Sequence, residues 1–180
     1  MAEVHVAAQQ GFTNEAQAYA RGRPEYPPAL VGWLTGPMGL AVGRTVADVG
    51  AGTGKFTQLL PATGADVIAV EPVDAMRMQL QTGLPGVRAL AGTAQAIPLP
   101  DASLDAVVCA QAFHWFANRE TLDEFRRVLK PGGKLGLVWN VRDESVDWVA
   151  ELTAIVTPYE GDAPRFYKGD WRRAFPHPGF

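Results

Sequence analysis

The residues whose types and spacing are best suited to chemistry are Asp48-Val49-Gly50-Ala51-Gly52-Thr53-Gly54 and, further on, Glu71. Glycines at alternate positions let the chain turn tightly and let a ligand approach the backbone, and a helix N-terminus behind them favours a negative or polar group. Asp48 precedes the first glycine and offers a carboxylate to any donor held in that turn. Glu71 ends a separate apolar run, where an acid is placed to take both hydroxyls of a ribose. A later cluster, Gln111-Ala112-Phe113-His114-Trp115-Phe116, sets one imidazole among aromatic rings. His114 is the candidate general base for a nucleophile that must shed a proton. Phe113 reads as core, while Trp115 and Phe116 could wall an apolar pocket or shield a cation.

Those residues need a scaffold, and strand and helix patterns alternate around them. Short β-branched runs at Thr45–Val49, Asp66–Glu71, Val87–Ala91, Leu104–Ala110 and Leu135–Asn140 predict strands. Apolar residues at helical spacing predict helices over Gly54–Leu60, Asp74–Thr82, Glu120–Leu129 and Val146–Val156. Lys130-Pro131-Gly132-Gly133 stops the third of them. The strands are nearly continuous apolar runs, the pattern of strands buried on both faces. The expected fold is therefore α/β: a doubly wound, Rossmann-like, mostly parallel sheet with helices on both faces. Ahead of it, Phe12, Ala16, Tyr19 and Ala20 suggest a short amphipathic helix, and behind it Pro158–Phe180 is aromatic and Pro-rich without a period.

Spacing separates three nucleotide-type readings of the glycine turn. A P-loop needs four residues between its first glycine and Gly-Lys, then Ser or Thr; here Phe56 follows Lys55, so the magnesium-binding hydroxyl is missing. A dinucleotide fingerprint needs a third glycine where this chain has Lys55, and Asp48 would crowd the phosphates, which weakens that reading without removing it. S-adenosylmethionine has no phosphate but carries an ammonium, a carboxylate and a sulfonium. An acid at the turn suits its amino end, and Glu71 suits its ribose.

On these residues the chain resembles the class I S-adenosylmethionine-dependent methyltransferases. DVGAGTGKFTQLL resembles the family's first motif and VIAVEPVDAMRMQL its ribose-acid motif. GTAQAIPLPDASLDAVVCAQAFHWF is similar to the adenine-side loop and fourth strand, and EFRRVLKPGGKLGLVWN to the helix, turn and fifth strand after it. The upstream FTNEAQAYARGRPEYP is similar to small-molecule methyltransferases of the trans-aconitate-like and ubiquinone-biosynthesis-like kind, in which this segment folds over the cofactor as a lid. The resemblance implies cofactor contacts from Asp48, Gly50, Gly52, Glu71 and Pro72, with Thr93 and Ala94 at the adenine edge and Gln111 near the sulfur. It also implies that Tyr19 and Arg23 reach the methionine carboxylate. Relatives often carry Asp where this chain has Thr93, so a backbone group or the hydroxyl must serve instead. One domain is expected over residues 1–180: a lid at 1–33, a cofactor-binding core at 34–145, and the start of a substrate-side part at 146–180. The family's last two strands of seven would be lacking, which leaves Leu135–Trp139 as an open edge that a second copy could cover.

The implied activity is methyl transfer to a small-molecule acceptor by in-line displacement. A carboxylate acceptor is suggested by the trans-aconitate-like start, with Arg21, Arg23 and Arg142 as anion partners. Two other readings are a domain that binds the cofactor without turnover and a nicotinamide-dependent oxidoreductase; for the latter no Tyr-x-x-x-Lys follows the fourth strand. With 16 basic and 19 acidic residues the net charge is −3, which argues against a phosphate-backbone partner. Cys109 is the single cysteine, so no disulfide framework forms, and no ligand spacing suggests a metal. No run is long enough to span a membrane and the start lacks a signal-peptide pattern, so a cytoplasmic location is expected.

Overall fold

A computed structural model describes residues 24–180. Its centre is a parallel sheet of β1 (Thr45–Val49), β2 (Asp66–Val70), β3 (Arg88–Leu90), β4 (Leu104–Ala110) and β5 (Leu129–Val138), in the order β3-β2-β1-β4-β5. The α-helices are α1 (Leu30–Thr35), α2 (Asp74–Gly83), α3 (Arg119–Val128) and α4 (Asp147–Val156). Alternate residues along β1 feed opposite cores. Ala47 and Val49 join Phe113, Leu122 and Phe125 on one face, while Val46 joins Leu34, Phe56 and Leu60 on the other. Burial on both faces is why these strands read as uninterrupted apolar runs. Among the described residues no helix is long and apolar enough to cross a membrane.

The chain crosses from the β1–β2–β3 half to β4 beside β1, so the sheet's order reverses between β1 and β4. Open α/β sheets leave a crevice at the strand ends there. Two devices hold its rims. Gly50 and Ala51 donate their N–H groups to Val70 O at the end of β2, which ties the glycine turn to the neighbouring strand. On the far side Arg127, on α3, donates to Ile97 O (3.0 Å) and Leu99 O (2.9 Å), and Glu124 accepts from Ile97 N–H (2.6 Å). That clamp fixes the loop that follows Thr93 and Ala94.

Two elements differ from expectation, and the tail folds without a regular period, as its sequence implied. Gly54–Leu60 forms no α-helix; a 3-10 turn runs over Thr57–Thr63 instead. Pro61 lies inside it, where it lacks an N–H and crowds the preceding turn, and Gly64 ends it at φ +78. β5 begins at Leu129, directly where α3 stops, and pairing jumps from Leu104↔Leu129 to Ala106↔Lys134. Lys130-Pro131-Gly132-Gly133 loops out between those pairs, Gly132 at φ +77. Residues 158–180 fold through aromatic contacts rather than a period: Trp171 packs on Trp139 (centroids 4.8 Å) and donates its indole N–H to Phe166 O. The expected helix around Phe12–Ala20 lies outside the described residues.

α3 has a capped start and a single apolar face. Asn118 caps it, accepting the Thr121 N–H at 2.8 Å, and Leu122, Phe125 and Val128 are buried on one face. Arg126 and Arg127 sit in the last turn, where the helix dipole favours cations.

Candidate functional site

At the carboxyl ends of β1 and β4 a cavity of about 680 Å³ opens between the glycine turn, the ends of β2 and β3, and the chain that follows β4 and β5. Asp48, the fourth residue of β1, points into it and is 1% exposed. One carboxylate oxygen, Oδ2, accepts the Thr57 hydroxyl at 2.7 Å. The other, Oδ1, is buried and has no hydrogen-bond partner among the described residues. Burial pushes the Asp48 carboxyl up to about 7, against the pull of Thr57 and with help from the charge of Glu71. A buried acceptor left open costs free energy unless a donor arrives.

Glu71 is also buried and does two jobs in the backbone. Its Oε2 accepts the Gly52 N–H at 2.8 Å and its Oε1 the Val73 N–H at 2.9 Å. The first bond stitches the glycine turn to the end of β2; the second shapes the entry to α2. Burial raises its pKa, while the Val73 and Gly52 donors and the charge of Arg77 hold it down. Each oxygen spends one lone pair on these bonds, and each keeps another for a ligand hydroxyl.

The glycines are needed for different reasons. Gly50 has φ +73, and a Cβ there would lie 2.8 Å from Ala112 Cβ and 3.2 Å from a Phe116 ring carbon. Gly52 has φ +57 with only ordinary contacts, so its demand is conformational. Pro72, Thr93 and Ala94 line the same cavity, and Thr93 Oγ1 is a second buried oxygen without a partner among the described residues. Gln111, at the end of β4, takes the left-handed conformation (φ +53), uncommon for a side chain and typical of functional turns. Its Nε2 donates to Asn140 O at 2.6 Å, joining the tails of β4 and β5 on the cavity wall.

The structure thus brings together Asp48, Gly50, Gly52, Glu71, Pro72, Thr93, Ala94 and Gln111. Tyr19 and Arg23 lie outside the described residues. His114 is not on the cavity wall, although its neighbours Trp115 and Phe116 are. The Trp139 indole, a donor only, donates to His114 Nδ1 at 3.1 Å. Nδ1 of the candidate base is thus engaged by a neighbouring ring. Phe113 is fully buried core, as its position implied. Sequence reasoning missed Thr57, Asn140, Tyr159, Glu160 and Arg165. The last three come from the tail, where no period or motif marks them.

Residues 47–137 match the family model described as methyltransferase domain. A methyltransferase-like protein of Schizosaccharomyces pombe is 44% identical over 170 residues, covering 94% of this chain and 66% of the relative. A methyltransferase of Mycobacterium tuberculosis whose reaction is uncharacterised is 50% identical over 145 residues, covering 81% of this chain and 58% of its own length. The chain therefore spans less than two thirds of these relatives. The solved structure of a SAM-dependent methyltransferase from Aquifex aeolicus superposes with a TM-score of 0.57 at 26% identity, covering 76% of this chain and 84% of that one.

Proposed function

Because this chain belongs to the class I S-adenosylmethionine-dependent methyltransferases, we propose that the cavity holds S-adenosylmethionine and that the protein transfers its methyl group to a small-molecule acceptor. The observation that carries this reading is the open Oδ1 of Asp48: a buried carboxyl oxygen on the cavity wall that has no hydrogen-bond partner among the described residues. An ammonium fits that need, and the two phosphates of a dinucleotide, acceptors themselves, do not. The fit extends around the cavity. Glu71 offers its remaining lone pairs to the ribose hydroxyls, Pro72 flanks the adenine, and Thr93 Oγ1 can meet a polar atom of its edge. Gly50 and Gly52 let the ligand lie close to the backbone.

When bound, S-adenosylmethionine would supply a methyl group carried on a sulfonium, with a neutral thioether as its leaving group. What remains for the protein is alignment and exclusion of water. Tyr26, Trp115 and Phe116 give the wall the apolar faces that such exclusion needs. No proton relay is assigned to His114.

A thermal melt with S-adenosylhomocysteine beside NAD tests the reading. Ligand at about 100 times its Kd adds roughly 2.7 kcal/mol, a rise of several degrees. The expected result is a rise with S-adenosylhomocysteine and none with NAD; a rise with NAD alone overturns it.

A further inference from the structure

Glu160 and Arg165 line the cavity from the tail, on the wall not used by the glycine turn, Glu71 and Thr93. Glu160 follows the 3-10 turn Thr157–Tyr159 and Arg165 precedes the 3-10 turn Phe166–Lys168, so the two end one short loop. Lys168 Nζ closes that loop by donating to Ala163 O at 3.1 Å. Phe166 packs on Trp139 (centroids 4.7 Å) and Trp171 (5.8 Å), which pins the chain beside Arg165. The loop presents a donor and an acceptor side by side. Arg165 Nε is buried and lies 3.5 Å from Glu160 Oε2, yet it makes no hydrogen bond among the described residues. The same Oε2 accepts the Tyr167 hydroxyl. No hydrogen bond among the described residues engages Glu160 Oε1. A buried N–H left open is costly unless an acceptor arrives.

Resting on the cofactor reading above, we propose that the acceptor is a neutral hydroxyl compound, its OH held between Arg165 Nε and Glu160 Oε1. A hydroxyl both accepts and donates, so one oxygen meets both needs. It accepts from Nε, donates to Oε1, and keeps one lone pair for reaction. The pair also selects by charge. The Arg165 guanidinium and the Glu160 carboxylate offset each other, so an anionic head meets the carboxylate's like charge and an ammonium meets the guanidinium's. Arg142, another guanidinium on this wall, stands exposed at the rim, where water screens it. On this wall a hydroxyl is favoured over the carboxylate suggested by the sequence. Trp115, Phe116 and Val156 supply apolar surface for the body of such a molecule.

Phenol, its methyl ether anisole and the anion benzoate, titrated into protein saturated with S-adenosylhomocysteine, test this. Phenol is expected to bind at least about tenfold more tightly than anisole, which lacks the donor; that is the usual size of a charge-assisted contact. Phenol should also bind more tightly than benzoate. Glu160→Gln should weaken phenol by about five- to tenfold and leave anisole unchanged, whereas Arg165→Gln should weaken both. The affinity for S-adenosylhomocysteine should hold in both variants. Benzoate binding as tightly as phenol, anisole matching phenol, indifference of phenol to Glu160→Gln, or no phenol binding at all overturns the proposal. Failure of S-adenosylhomocysteine itself to bind would instead overturn the cofactor reading.

Discussion

Replacing Asp48 with Asn is expected to stabilise the ligand-free protein while it weakens S-adenosylhomocysteine by at least about tenfold. The two effects share one cause. Folding buries the Asp48 carboxyl and raises its pKa to about 7 from an ordinary 3.8. The folded state then holds a proton that the unfolded state has released, so this group's contribution is fully present below pH 3.8 and is lost as pH rises towards 7. Asn cannot ionise and escapes that loss. Its stability advantage over the natural protein should grow by about 2–3 kcal/mol between pH 5 and pH 8. Urea unfolding at both pH values reads this directly, and an advantage that stays flat with pH contradicts it. Because an ammonium favours the ionised carboxylate, the natural protein's affinity for S-adenosylhomocysteine should rise with pH and level off above about 7. In Asp48→Asn that dependence should vanish.

Gly50→Ala should be the most damaging single methyl in the turn. The position needs φ +73, and the new Cβ would meet Ala112 Cβ at 2.8 Å. Left-handed backbone costs an alanine about 1–2 kcal/mol, and the overlap with a buried neighbour adds about as much again. A total near 3 kcal/mol lowers the melting temperature by roughly 10 °C for a chain this size. Shifting the turn to relieve the clash would also strain the Gly52 N–H bond to Glu71, so S-adenosylhomocysteine binding should be lost. Gly52→Ala, which meets only Met76 Sδ at 3.8 Å, should suffer the conformational cost alone. Equal losses at both positions would show that the contact with Ala112 does not matter.

How legible was this molecule in its sequence? β1 and β4 were readable to the residue, because strands buried on both faces are written as apolar runs with little else to confuse them. α3 was readable from its apolar face and from the Lys130-Pro131-Gly132-Gly133 stop behind it. Gly54–Leu60 misled because Gly54 and Pro61 bracket a stretch whose apolar spacing alone looks helical; one proline inside outweighs several favourable residues. Asp48 and Glu71 stood out because their chemistry is tied to a local turn and strand end. The surroundings of His114 were hidden for the opposite reason. Its place after β4 is local, but Trp139, which engages the ring, arrives from β5's far end. Arg165 was invisible because only tertiary packing of the tail brings it to the cavity.

The central claim is that the open carboxylate oxygen of Asp48 is the receptor for the cofactor's ammonium. Calorimetric titration with S-adenosylhomocysteine at pH 6, in two buffers of different ionisation enthalpy, counts the protons that binding moves. Asp48 is then mostly protonated in the free protein and must ionise to take the ammonium. One-to-one binding with release of close to one proton is the predicted result, and it should disappear in Asp48→Asn. Tight binding with no proton released would contradict the claim.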